Sequence, residues 1–365
     1  MRDAYRDKTF IILLAAVLVC SCNSGSLEDN NGRLISDSTG REVTVPDTIR
    51  SVIALKSGAM RLLGYMELTN LVSHIEESER RRNVPYLFAN PEIRERPVIG
   101  AGNNYDIELL ASAGSDLIIA TYMSIQEAER IQRLSRTPVV LLNYGDLGDG
   151  IDELFSSLQL LGDIFYKQDR ADTLVNYIRA TMESCAERAV RAIEEPVPAY
   201  IGGVAYNGAH GITSSEPTYP PFDILSVPNI AEGLQQNDDA LSHEVVFIDP
   251  EQLIEWNPAV IFLDAAGRHI WKTELEEKAM LNSLSAVSTG EVYTVLPYNW
   301  NTTNYENLLC NSWYIGSIMM PSVFADIDYR KKAREVFSFF YGVDIINEVE
   351  QFYLPYRQIR IHSAK

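Results

Sequence analysis

The chain has 365 residues, 46% of them hydrophobic, enough for more than one domain-sized core, and a formal net charge of −19 at pH 7. That acidity argues against nucleic acid, whose phosphates call for a basic surface. Its four cysteines include no CxxC pair, which excludes a disulfide-framed fold.

At the N-terminus Arg2, Arg6 and Lys8 precede an apolar run from Phe10 to Cys20. Those 11 residues are too few to cross a bilayer, which takes about 20, and they suit the core of an export signal. The run closes Leu18-Val19-Cys20-Ser21-Cys22. This resembles the bacterial lipoprotein signal, with Val19 and Ser21 ahead of Cys22 as the acylated residue, and Cys20 departing from the pattern. Residues 1–21 are expected to be removed and 22–32 to form a polar tether, leaving 28 basic and 48 acidic residues. Cys185 and Cys310 then stand either as free thiols or as one bridge.

The stretch DSTGREVTVPDTIRSVIAL (37–55) combines a tight turn, an alternating half-buried strand over Glu42–Val45, a strand-closing proline and a strand over Ser51–Leu55 covered on both faces. A helix begins at Gly58–Tyr65. Short strands follow at Leu71–Ser73 and Val98–Ile99, then a helix over Asp106–Ala113. Strands over Asp116–Thr121 and Thr137–Leu142 flank a helix from Ile125 to Leu134. Such alternation predicts a mostly parallel sheet covered by helices. Leu154, Leu158, Leu161 and Phe165 keep helical spacing, and from Gln168 to about Ile193 there is neither Gly nor Pro. A helix of about 25 residues would span roughly 37 Å before Glu194-Glu195-Pro196 ends it. A second unit follows, with strands over Ala199–Val204, Ala259–Leu263 and Glu291–Val295 and helices at Phe222–Leu225 and Tyr305–Met319. The fold class is therefore α/β, with lobes over 33–166 and 197–365 and a connecting helix over 167–196.

One pattern occurs in both lobes. DIELLASAGSDLII (106–119) aligns without a gap on DPEQLIEWNPAVIF (249–262), each placing a glutamate two residues into a helix that leads to a buried strand. An acid at a helix start is favoured electrostatically anyway. The same offset in both lobes is harder to attribute to that alone.

The stretch D-x-x-G-R-x-V-x-V-P from Asp37, then Arg50–Leu55, the paired units, the lone long helix and WYIGSIMMP (313–321) together resemble the substrate-binding proteins of ABC importers, in the cluster serving ferric siderophores, haem and cobalamin. The resemblance implies two Rossmann-like lobes with mostly parallel sheets, joined by one long rigid helix, with the ligand in the cleft between them. It implies Glu108 and Glu251 as docking residues for a permease driven by a separate ATPase. It also implies an exported, membrane-anchored monomer that carries an iron chelate and has no resident cofactor. The hairpin at 37–46 would cap the first strand of the N-terminal lobe.

Ligand candidates come from the loops after the strands: Lys56, Arg61, Asn103, Asn104, Tyr122, Tyr206, His210, His243, Trp300 and Tyr305. Aromatic faces beside a few polar groups suit a planar or chelated ligand. Lys56 and Arg61 are the only strong basic candidates near strand ends, which leaves room for a corrinoid or haem as the alternative ligand. No HxH, HExxH or Cys/His spacing marks a metal site. No Walker, GxGxxG or GxSxG motif marks an enzyme. A surface lipoprotein of this fold without a transport role is the rival from another class.

Overall fold

The chain enters the fold through an antiparallel hairpin, β1 (Gly32–Ser36) and β2 (Glu42–Pro46), in a computed structural model that describes residues 32–102, 104–193, 196–234 and 245–360. Cys22, Asn103, Glu194-Glu195 and His243 lie outside the described residues. Val43 and Val45 point inward while Glu42 and Thr44 face solvent, as the alternation predicts. The hairpin does not cap the first sheet strand. Its turn sits on the sheet edge at residues 139–141: Ser38 donates to the Leu141 carbonyl at 3.0 Å, Arg41 to the Val139 carbonyl at 2.7 Å, and Asp37 accepts the Leu141 N–H at 3.2 Å. The reason is that an edge strand leaves backbone groups unpaired, whereas the first sheet strand has neighbours on both sides.

In chain order the N-terminal part continues β3 (Val52–Leu55), α1 (Ala59–Tyr65), β4 (Val72–His74), α2 (Pro85–Ala89), α3 (Ile107–Ala113), β5 (Leu117–Thr121), α4 (Ile125–Ser135) and β6 (Val139–Leu142). The four strands from β3 to β6 form a parallel sheet of order β4-β3-β5-β6. Val98 contributes only an isolated bridge to Ile75, not the strand expected there. Next come α5 (Ile151–Phe165) and the long α6 (Gln168–Val190), which buries Ala171, Leu174, Val175 and Ile178 along one stripe over its 23 residues, roughly 35 Å.

The C-terminal part contains β7 (Ala199–Gly202), β8 (Ser214–Ser215), α7 (Pro220–Leu225), β9 (Val246–Phe247), α8 (Pro250–Trp256), β10 (Val260–Asp264), α9 (Arg268–Glu277), α10 (Ser285–Thr289), β11 (Val292–Val295) and α11 (Tyr305–Met319). Its sheet has order β11-β10-β7, all parallel, with β8 and β9 paired separately. Three helices not read from the sequence close the chain, α12 (Pro321–Phe324), α13 (Tyr329–Tyr341) and α14 (Ile346–Tyr353).

The paired units match element for element. α3 and α8 have seven residues each, both end in a left-handed residue (Gly114, Asn257), and each feeds a fully buried five-residue strand, β5 or β10. Alternation then sorts the side chains. Leu117 and Ile119 of β5 and Phe262 of β10 join one core shared by both halves through α6, α11 and α13. Ile118 and Ala120 face a local core under α3 and α4, and Ile261 and Leu263 face another beside α9. Each sheet thus has one face in common with the other lobe and one of its own. Cys185 and Cys310 are buried free thiols in the shared core.

Candidate functional site

Parallel strands present their C-terminal ends on one side, and ligands of α/β sheets bind there. In the N-terminal sheet β3 runs into Lys56, Ser57 and Gly58, and β5 into Tyr122. Lys56 and Tyr122 adopt left-handed backbone (φ 68° and 47°), as do Asn207, Asn301 and Thr302 from the other lobe. Such conformations are uncommon for non-glycine residues, and for β-branched Thr302 (φ 67°) the cost is about 1–3 kcal/mol. Most other left-handed residues, such as Arg136, Tyr166 and Ser226, cap helices, whereas these five lie in loops that follow strands.

On the N-terminal face Lys56 is held from three sides. Its N–H donates to Glu76 Oε1 at 3.1 Å, its ammonium lies 3.5 Å from Glu127 Oε1, and it sits over the Tyr105 ring at 5.8 Å. Glu76 is buried; burial pushes its carboxyl up to about 7, against the Lys56 N–H and Arg82, which pull it down. Thr121, at the end of β5, donates to the Ser57 carbonyl at 2.6 Å and ties the two strand exits together. Gly58 (φ 94°) lies so close to Tyr144 that a Cβ there would come within 2.2 Å of the ring.

On the C-terminal face Asp264 ends β10 as Thr121 ends β5. Its carboxylate accepts the N–H of Tyr298 at 2.7 Å and of Ala266 at 2.8 Å. Complete burial pushes the carboxyl up to about 7, these two donors working the other way. The exit of β11 is gripped by amide side chains of α11 and its N-cap. Asn311 holds both backbone groups of Leu296, Asn307 donates to the Pro297 carbonyl, and Asn304 donates to the carbonyls of Tyr298, Trp300 and Thr302. The loop after β7 carries Tyr206 and His210, with His210 Nε2 2.6 Å from the Tyr206 carbonyl and its ring edge-on to Phe247 at 4.8 Å.

The two faces meet. Tyr122, 56% exposed, places its hydroxyl 2.8 Å from Thr302 Oγ1. Tyr144 donates to the Thr303 carbonyl at 2.8 Å, and Tyr305 to the carbonyls of Tyr144 and Gly145.

The predicted site residues fall into three groups. Tyr122, Tyr206, His210 and Trp300 stand at strand exits with at least part of each side chain exposed, and Lys56 joins them at the rim. Asn104 is exposed in the loop before α3, its N–H turned to Ala101. Arg61 and Tyr305 are corrected: both are fully buried, because each reaches across the lobe boundary, Tyr305 to backbone carbonyls and the Nη atoms of Arg61 to carbonyls and the Asn304 side chain there. Glu108 and Glu251 are exposed at the second positions of α3 and α8. Sequence reasoning passed over Arg268. It is the first residue of α9 at the exit of β10, half-buried, with no hydrogen bond or ion pair to another described residue. A cation is disfavoured near a helix N-terminus, so an Arg four residues past the end of a buried strand was a usable signal. Among the described residues no group of three His, Cys, Asp or Glu side chains could hold a metal ion.

A sequence profile described as periplasmic binding protein matches residues 72–298. The molybdate-binding protein MolA of Haemophilus influenzae is 23% identical over 355 residues, covering 90% of this chain and 95% of that protein. Its molybdate-bound structure superposes with a TM-score of 0.68 at 20% identity, covering 86% of this chain and 98% of that one. A structure of an ABC-type Fe3+-hydroxamate transport system from Saccharomonospora viridis gives a TM-score of 0.52 at 16% identity, with 79% and 98% covered. The ABC transporter substrate-binding lipoprotein YvrC of Bacillus subtilis is 20% identical over 188 residues, 49% of this chain and 57% of that protein.

Proposed function

The chain belongs to the periplasmic binding protein family and is a substrate-binding component of an ABC importer, and from that premise we propose that it captures a metal chelate with aromatic or conjugated surface, of the siderophore type, between Tyr122, Tyr206, Trp300 and His210. The observation that carries this reading is the Tyr122 ring, 56% exposed at the exit of β5 yet fixed by its hydroxyl to Thr302 on the opposite lobe. A large, oriented and solvent-facing aromatic surface is poor for stability and good for a ligand with a matching face. Arg268, and Lys56 once released from Glu127, would supply the positive charge that an anionic chelate needs in place of its lost hydration. The Fe3+-hydroxamate neighbour is consistent with the same class.

A second reading, an oxyanion of the molybdate class, is favoured by the identity to MolA along 90% of the chain. For such a ligand Lys56, Arg268 and the Tyr122 hydroxyl would carry recognition and the aromatic faces would contribute little.

Two further parts of the reading concern delivery. Acylation at Cys22 would keep the protein at a membrane, in line with the lipoprotein relative. Glu108 and Glu251, exposed on matched helices, would address the two halves of the permease through complementary charge. The shared core restrains the lobes, so closure around a ligand would be modest. Charge reversal tests delivery apart from capture. In cells carrying Glu108→Arg with Glu251→Arg, uptake of labelled chelate is expected to fall at least tenfold while the affinity of the purified chain stays within twofold. Uptake at the native rate would remove both glutamates from the docking role.

A further inference from the structure

Arg61 was expected to meet a ligand, and it does something else. It rises from α1 of the N-terminal lobe and is completely buried, which for a permanently charged side chain demands partners; both Nη atoms have them, and only Nε is without one among the described residues. Nearly all of them come from one loop of the other lobe. Nη1 donates to the Thr303 carbonyl at 2.9 Å and to Asn301 O at 3.3 Å. Nη2 donates to Asn304 Oδ1 at 2.7 Å and to Trp300 O at 3.4 Å. The Tyr144 hydroxyl accepts a bond from Nη1 at 2.7 Å and donates its own to the same Thr303 carbonyl. Three carbonyls of one short loop therefore converge on a guanidinium, as they would on a bound cation. Such convergence needs unusual backbone: Asn301 and Thr302 are both left-handed. The compensating charge is also buried and also crosses the boundary. Glu306, at the start of α11, accepts hydrogen bonds from Tyr65 of α1 and from Tyr341.

We infer that Arg61 is a positioning residue of the ligand cleft: a tethered internal cation around which the 300–304 loop is wound, so that the N-terminal lobe dictates where Trp300 and Thr302 of the opposite lobe stand. The inference rests on the cleft reading given above for its functional part and on the loop geometry alone for its structural part. It has a mechanical consequence. Trp300 and Thr302 travel with Tyr122 and Tyr144, whereas the loop carrying Tyr206 and His210 makes no hydrogen bond to the N-terminal lobe among the described residues. The wall free to adjust to a ligand is therefore the one after β7.

The test is hydrogen exchange on the purified full chain, read at the amides of residues 299–304 and at those of β3, β5 and β6, together with titration by a ferric trihydroxamate and by molybdate. Arg61→Met leaves Glu306 uncompensated and is open to misfolding, so Arg61→Met with Glu306→Gln is the informative variant, and Arg61→Lys the conservative one. In the double variant the loop amides are expected to exchange at least tenfold faster while the sheet amides stay within twofold of the native chain. Affinity for whichever probe the native chain binds is expected to fall at least tenfold, with Arg61→Lys recovering part of both effects. Loop protection equal to the native chain would overturn the inference, as would loss of protection throughout the sheet to the same degree. A loosened loop with native affinity would overturn its functional part. If the native chain binds neither probe, the cleft reading falls, and the exchange pattern still decides whether Arg61 shapes the loop.

Discussion

Thr121 and Asp264 occupy the same place in the two paired units, the last residue of β5 and of β10, and each fastens the exit of a neighbouring strand. They do it with different chemistry. Thr121 donates one hydroxyl to the Ser57 carbonyl, a neutral bond at 2.6 Å. Asp264 is a fully buried carboxylate that gathers two backbone N–H groups. At this position the N-terminal face uses a bond indifferent to pH, with the titratable Glu76 placed one strand away at Lys56, whereas the C-terminal face uses a titratable group at the position itself and a cation lent from the other lobe. Two copies of one supersecondary unit can share geometry while differing in what holds the functional loop.

The largest expected effect separates the two positions directly. Asp264→Ala leaves the N–H groups of Tyr298 and Ala266 without their acceptor in a buried setting, a loss of about 3–5 kcal/mol. Thr121→Val removes one neutral donor and should cost only about 1 kcal/mol. Urea midpoints of the two variants check this, and equal losses would erase the distinction.

A second experiment uses pH. The Glu76 carboxyl is raised from 4.5 to about 7 in the folded chain, so between those values the folded state holds a proton that the unfolded state has released. Its contribution is complete below about pH 4.5 and is lost as pH rises towards 7. Glu76→Gln does not titrate. Relative to the native chain the variant should gain stability by roughly 3 kcal/mol as pH rises from 4.5 to 7, an upper figure obtained from about 1.4 kcal/mol per pKa unit. A stability difference independent of pH would remove Glu76 as a protonated support of the Lys56 loop. The smallest effect is expected from Tyr122→Phe, because its bond to Thr302 is open to solvent: a change within about 0.5 kcal/mol in unfolding free energy.

Much of the scaffold could be read in advance because it follows from local pattern. Runs such as VIAL, LIIAT and VVLL are strands buried on both faces, and α11 occupies Tyr305–Met319 as read. The paired units were legible because a gapless alignment preserves both helix length and strand offset. What escaped depends on partners far away in the chain. Nothing near Arg61 announces that residues 300–304 will enclose it, and its position near a strand exit suggested a ligand contact instead. The turn at Asp37 contains no hint that the open edge of β6, a hundred residues on, will accept it. The left-handed backbone at Lys56, Tyr122 and Thr302 was equally hidden, since none of these residue types favours it. Arg268 was readable and was passed over.

The most direct measurement is a tryptophan fluorescence titration of the purified full chain with ferric hydroxamates, ferric catecholates, haem, cobalamin and molybdate, repeated on Trp300→Phe and Tyr122→Ala. The account predicts saturable, sub-micromolar quenching by a ferric chelate, with the signal lost in Trp300→Phe and the affinity lowered at least tenfold in Tyr122→Ala. Saturation by molybdate alone, with Tyr122→Ala binding as tightly as the native chain, would contradict the chelate reading and put an oxyanion in its place.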